Sequence, residues 1–450
     1  MSRTLFGHPP GLTFLFGTEM WERFSYYGMR ALLVLYLTKY LLLSPQVEHV
    51  LFYGQIKAFF ELLAGHSLST QPLSSLIYGT YTGLIYATPW LGGWIADTKL
   101  GQRKTVMIGI VMMALGHFMM ASEALVFPAL TLLIFGGGFF KTNTTAQVGM
   151  LYQAGDARRD RAYSIFYVGV NLGAFIAPLV AGTLGETVGW HYGFGAAGVG
   201  MMIARVIYIC GWKSLPAEGL KPRTEKTQRE PLSRAEWKSV GALMLLALPL
   251  TLWWACYEQQ GNIIALFADS NTDRRLIPGL IDWQIPVTWF QAFNPFMIFA
   301  FTPLLLSLWA RQAGRRKEPN SLTKMVIGCG LLALSYVLIA LVSWHAGPGQ
   351  SSWLWLAGYF ALITTGELHL SPISYSLYSK VAPPRIVSLM FALVFTPNFL
   401  GGGLLQGWLG TFWEGMGPSQ FFLVIAVIGL VSGAIIWMME KPLRPYLQHD

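Results

Sequence analysis

Apolar runs long enough to cross a bilayer recur from one end of this 450-residue chain to the other. A span needs roughly 20 mostly apolar residues. Stretches near 12–40, 72–97, 104–123, 126–152, 162–185 and 191–212 qualify, and six more follow near 238–268, 284–310, 322–344, 352–379, 385–412 and 418–439. In hydrocarbon every backbone N–H and C=O must find its partner within the protein, so each run is expected as a helix. Hydrophobic residues make up 54% of the chain and charged ones 12%, which leaves no room for a large water-soluble domain. The net charge of +9 sits in short loops between apolar runs. That distribution points to membrane lipid as the surroundings and away from nucleic acid as a partner.

The most polar stretch, residues 213–238, mixes dense charge with three prolines and divides the chain evenly. It reads as a cytosolic linker between an N-terminal six-helix bundle, 1–212, and a C-terminal one, 239–450. Segment 46–65 is apolar but carries Glu48, Lys57 and Glu61, so it is expected as an amphipathic helix at the surface rather than as a span. With both termini placed in the cytosol, 23 of the 31 Lys and Arg fall on the cytoplasmic side. Lys39, Lys57, Arg274 and Arg275 fall opposite, and Arg23, Arg30, Lys141 and Arg205 fall inside spans. That asymmetry favours cytosolic termini. Only Arg3 precedes the first run and no small-residue cleavage site follows it, so that run reads as an uncleaved span. Cys210, Cys256 and Cys329 lie in apolar stretches and read as free buried thiols. No metal-ligand spacing or nucleophile–base pattern stands out, so neither a cofactor nor an enzyme is expected. Twelve helices as six plus six are the layout of the major facilitator architecture. Residues 92–104, GGWIADTKLGQRK, resemble the loop motif of that superfamily, with Asp97, Arg103 and Lys104 as the expected cytoplasmic gate latch.

Ionisable residues at bilayer depth cost several kcal/mol unless paired or hydrated, so each marks a functional hypothesis. The first run contains TEMWERFSYYGMR, residues 18–30. At 100° per residue Glu19, Glu22, Arg23, Tyr26 and Arg30 share an arc of about 100°, with Tyr27 at its edge. Glu19 and Arg23 are spaced i,i+4 and can partly neutralise each other. A stripe of two cations, two carboxylates and tyrosines should face partner charges or a water-filled cavity, not lipid.

The string ExxERFSYYGMR, from Glu19 to Arg30, resembles the signature of the proton-dependent oligopeptide transporters. YSIFYVGVNLGAF at 163–175, around Asn171, is similar to the second signature of that family. FFKTNTTAQ with Lys141, WWACYEQQGN with Trp254 and Glu258, FQAFNP with Asn294 and GELHLSP with Glu367 extend the resemblance through both halves. The resemblance implies a symporter that imports di- and tripeptides across the cytoplasmic (inner) membrane, driven by protons and working as a monomer by alternating access. It implies a peptide held near the midplane, its carboxylate met by Arg30 and Lys141, and its amine and amides by Glu367, Asn294 and Asn171. Tyr26, Tyr27, Tyr86 and Trp254 would line the side-chain pockets. Glu19, Glu22, Arg23 and Glu258 would carry proton coupling, with Glu258 as the acid that pairs with Arg30.

Departures from the family pattern bear on side-chain preference. Thr142 follows Lys141 where relatives often have proline. FALVFTPNF at 391–399 lacks an expected tryptophan, and the linker is too short for two extra helices found in many bacterial members. Arg23, Arg30 and Lys141 argue against an exporter of cationic drugs, whose cavity should be acidic and aromatic. Glu367 and the complete ExxER motif favour peptides over nitrate or another anion.

Overall fold

The computed structural model describes residues 7–153, 156, 158–216, 232–383 and 387–447; of the linker, residues 217–231 lie outside it. Helices dominate the described residues and match the twelve apolar runs. The first span, Pro10–Lys39, opens on Pro9 and Pro10, where a fixed φ suits the first helical turn and a missing N–H costs nothing. The second covers 70–100, passing through Pro89 into a π-helical turn at Ala96–Leu100. Gly101, at φ +76°, then turns the chain into the third, Gln102–Met119. The fourth is Val126–Met150, the fifth runs over 158–187 through a π-helical turn at Pro178–Gly182, and the sixth is Trp190–Gly211.

The seventh span covers 234–270. It starts in a capping box, where the Ser233 hydroxyl accepts from the Glu236 N–H and the Glu236 carboxylate accepts from the Ser233 N–H. A 3₁₀ turn at Glu258–Gly261 then divides it from Ile263–Ser270. The eighth covers 287–314, the ninth is Ser321–Ala346 and the tenth is Leu354–Val381. The eleventh covers 387–410 and the twelfth is Pro418–Leu447. Seven of these are long and apolar enough to cross a membrane by length and composition alone. The first is not among them because it carries Glu19, Glu22, Arg23 and Arg30.

Two features depart from the sequence expectation. The loop after the seventh span forms a ribbon, Arg275–Ile277 antiparallel to Ile281–Gln284, and Thr272–Asp273 pairs parallel with Ser351–Ser352. Cys256 and Cys329 are buried as expected, but Cys210 is exposed, near the end of the sixth span beside the exposed Ile209.

The chain forms two compact units. Unit one comprises Met1–Ser74, Leu84–Thr224 and Pro286–Pro295. Unit two comprises Ser75–Gly83, Glu225–Ile285 and Phe296–Asp450. Each therefore holds a short segment from the other half of the sequence. In unit one, Glu186 near the end of the fifth span accepts from the backbone N–H groups of Val287 and Thr288 at 2.8 and 2.7 Å, and from the Thr288 hydroxyl at 2.7 Å. A carboxylate suits the positive end of a helix, so this cap fastens 287–292 in place. Trp289 adds an indole N–H to Thr183 Oγ1 at 2.7 Å. In unit two the corresponding fastening is glycine packing. A Cβ at Gly403 would collide with the Gly83 backbone, so only glycine lets 75–83 lie against the eleventh span. Ser75 donates to Asn262 Oδ1 at 3.0 Å and Asn262 donates to Gln406 Oε1 at 3.2 Å, which joins the second, seventh and eleventh spans.

Candidate functional site

The site residues of unit one stand on the first, second, fourth and fifth spans and, in Asn294, at the start of the eighth. Glu19, Glu22, Arg23, Tyr26 and Arg30 are all buried, as a polar stripe turned away from lipid requires. Arg23 binds Glu22 through two bonds, Nε to Oε2 at 2.5 Å and Nη2 to Oε1 at 2.8 Å. Glu19 Oε1 stands 3.4 Å from Arg23 Nε. The spacing of the sequence suggested the i,i+4 partner Glu19, whereas the shorter contact is to the preceding residue, Glu22. The Glu22–Arg23 pair is neutral as a unit, the condition for keeping ions out of water, and Glu19 adds a second carboxylate beside it. Glu19 also accepts from the Thr144 hydroxyl at 3.1 Å, which ties the first span to the fourth. Gly173 on the fifth span makes the cluster compact, since a Cβ there would strike the Met20 carbonyl oxygen.

Cations over aromatic faces continue the stripe. The Arg23 guanidinium lies 5.2 Å from the centre of the Tyr26 ring, and that of Arg30 lies 6.0 Å from the Tyr27 ring. The Tyr26 and Tyr27 rings meet edge to face at 5.0 Å. Lys141 Nζ sits 4.3 Å from the centre of the Tyr86 ring, so two residues singled out separately in the sequence are brought together. Asn171 is buried and donates to the Tyr167 carbonyl of its own helix at 3.0 Å. Asn294 lies in the first turn of Phe293–Gly314, within the segment that packs in unit one.

In unit two, Glu258 is buried at the 3₁₀ turn that divides the seventh span. Trp254 is buried one turn earlier and meets the Tyr257 ring edge to face at 5.2 Å. Tyr257 was not singled out in the sequence. Its hydroxyl hydrogen-bonds the Glu367 carboxylate of the tenth span, and it also stands in the field of Glu258 and beside Gln260. Tyr257 thus gathers both acidic residues expected in this half. Its position beside Glu258 in WWACYEQQGN was the available signal, but sequence spacing does not show that the tenth span packs there.

At the 92–104 motif, Asp97 and Lys104 are exposed. Arg103 donates to the Leu215 carbonyl oxygen and lies 5.6 Å from the centre of the Trp212 ring, clamping the end of the sixth span. Among the described residues no group of His, Cys, Asp and Glu is arranged to hold a metal ion.

A family model described as PTR2, the POT family, matches residues 103–231 and 223–416. A peptide transporter of Yersinia enterocolitica is 31% identical, the match covering 98% of this chain and 96% of that one. A di-/tripeptide transporter of Lactococcus lactis subsp. cremoris is 29% identical over 98% of this chain and 97% of its own length. Among solved structures, a peptide transporter in complex with alafosfalin is similar at a TM-score of 0.83 with 28% identity, covering 100% of this chain and 98% of that one, and a sulfate complex matches at 0.85 with the same identity and coverage. A POT family transporter bound to 5-aminolevulinic acid matches at 0.85 with 26% identity, over 98% of both chains.

Proposed function

The chain belongs to the POT family of multi-pass membrane transporters, and from that premise we propose that it is a proton-coupled symporter importing di- and tripeptides by alternating access. The observation that carries this reading is the pair of ionisable clusters, buried Arg30 and half-buried Lys141 on the first and fourth spans and buried Glu258 and half-buried Glu367 on the seventh and tenth. A zwitterionic peptide needs one of each sign. Arg30 and Lys141 hold its carboxylate, and Glu367 receives its amine, with Asn171 and Asn294 available to backbone amides. Tyr26, Tyr27, Tyr86 and Trp254 offer aromatic area, which accepts varied side chains because stacking is tolerant of shape.

Coupling requires a carboxylate whose pairing changes between states. We assign that role to Glu258, which pairs with Arg30 in one state and takes a proton when the pair parts, Glu19, Glu22 and Arg23 serving as the adjoining charge reserve. Alternating access in this architecture is a rocking of one half against the other. The contacts of Val287, Thr288 and Trp289 with the fifth span would then break, and we assign Asp97, Arg103 and Lys104 to the cytoplasmic gate latch. We also propose that both termini lie in the cytosol, that the protein sits in the cytoplasmic (inner) membrane, and that 213–238 links the two bundles.

Uptake of labelled dialanine into proteoliposomes tests the reading. Uptake should rise severalfold when an inward proton gradient is imposed and should collapse with a protonophore. Binding without gradient-dependent accumulation would overturn it.

A further inference from the structure

Segment 46–65 folds as expected into a helix, Tyr53–Ala64, but the face it presents outward is the apolar one. At 100° per residue Phe59, Leu62 and Leu63 project within an arc of about 100°. They are 56%, 80% and 69% exposed, and Phe52 at the helix entry is 59% exposed. Gln55 is the one polar residue in that arc. Lys57 and Glu61 lie on the opposite side, about 160° to 200° from Phe59. There Lys57 Nζ stands 5.9 Å from the centre of the Tyr53 ring, and Glu61 Oε1 accepts from the Leu68 N–H at 3.0 Å. Buried Tyr53 and Phe60 anchor this charged side to the protein.

A helix in water shows its charges and hides its apolar residues. This one does the reverse. At its entry Phe52 sits at φ +66°, a backbone region an L-residue rarely adopts, and its ring is left exposed. The helix is also held close to the membrane boundary. It is flanked by the end of the first span at Lys39 and the start of the second at Thr70. Six residue steps from Ala64 to Thr70 allow at most roughly 20 Å. The Leu51 N–H donates to the Ala124 carbonyl at 3.0 Å, which fastens the entry of the helix to the loop between the third and fourth spans.

We propose that Tyr53–Ala64 lies in the bilayer interface, with Phe52, Phe59, Leu62 and Leu63 seated among the lipid acyl chains of the leaflet opposite the termini. Lipid fits this patch better than a second copy of the chain because the helix is tethered between the ends of two spans and its outward arc carries no charge for pairing. In that position the helix acts as a lateral anchor that holds the ends of the first and second spans at a fixed depth.

The test uses the full-length protein with Cys210, Cys256 and Cys329 replaced by serine, reconstituted in liposomes. Single spin labels are placed at Phe59, Leu62, Leu63 and the exposed, opposite-edge Ala64, with Leu334 as a span reference and Lys317 as a loop reference. Dialanine uptake confirms that each labelled protein is folded. Labels at 59, 62 and 63 should collide with oxygen as often as the label at 334 and with a water-soluble nickel chelate at least fivefold less than the label at 317. Nickel access equal to that at 317 would show a water-facing helix and overturn the proposal. Low access to both reagents would show burial against a second copy, which would overturn it as well.

Discussion

In unit one, Arg23 finds Glu22 and Glu19 on its own helix, one and four residues away; in unit two, Glu258 and Glu367 come from different spans and are gathered around Tyr257. The first cluster is written into local spacing. It needs only a helix to form, and the glycine at 173 and the hydroxyl of Thr144 complete it. The second depends on a 3₁₀ break and on the packing of the tenth span against the seventh. A cluster closed within one helix suits a fixed charge reserve. A cluster assembled across spans can change its partners when those spans move, which is what coupling demands.

The comparison breaks first if the Arg23 cluster is dispensable. Arg23→Ala leaves two buried carboxylates without their cation, a change that costs about 3–5 kcal/mol. The expected outcome is loss of uptake with a large fall in Tm of the solubilised protein, and Glu22→Gln on the same background should recover part of the Tm. An unchanged Tm would mean the cluster is not a structural reserve.

Lys141→Ala should separate function from stability more cleanly. The ammonium stands over the Tyr86 ring on a half-buried side chain, and a Tm close to that of the parent is the expected outcome. Removing one partner of a buried charge pair with substrate costs about 2–5 kcal/mol, which is roughly 30-fold or more in uptake. Normal dialanine transport by this variant would place the carboxylate elsewhere.

Tyr257→Phe is the smallest change and sharpens the account of unit two. It removes one hydroxyl and keeps the ring packed against Trp254 and Trp253. A hydrogen bond to a charged group is worth about 1.5–3 kcal/mol, so an effect of roughly tenfold on uptake with little change in Tm is expected. Uptake indistinguishable from the parent would show that Glu367 is oriented without the tyrosine.

The sequence made the spans, the buried stripe and the individual acids readable, because periodicity and local spacing are properties of one helix. Cys210 shows the limit, since an apolar neighbourhood does not say which face of a lipid-exposed span a residue occupies. Glu186 and Tyr257 were missed for a related reason. The cap on Val287 and Thr288 and the bond to Glu367 both join residues of distant spans, and nothing local in the sequence marks the partner. The outward apolar face of Tyr53–Ala64 was half readable, as the amphipathic pattern shows a helix at a surface but not which side it turns to the protein.

Glu258→Gln tests the central claim most directly, because the amide mimics the protonated acid and cannot release a proton. Gradient-driven accumulation and peptide-for-peptide counterflow are measured in the same liposomes. The account predicts that accumulation against the peptide gradient is abolished while counterflow persists, since exchange needs no net proton release. A Glu258→Gln variant that still concentrates dialanine would contradict it and move the coupling proton to Glu19 or Glu22.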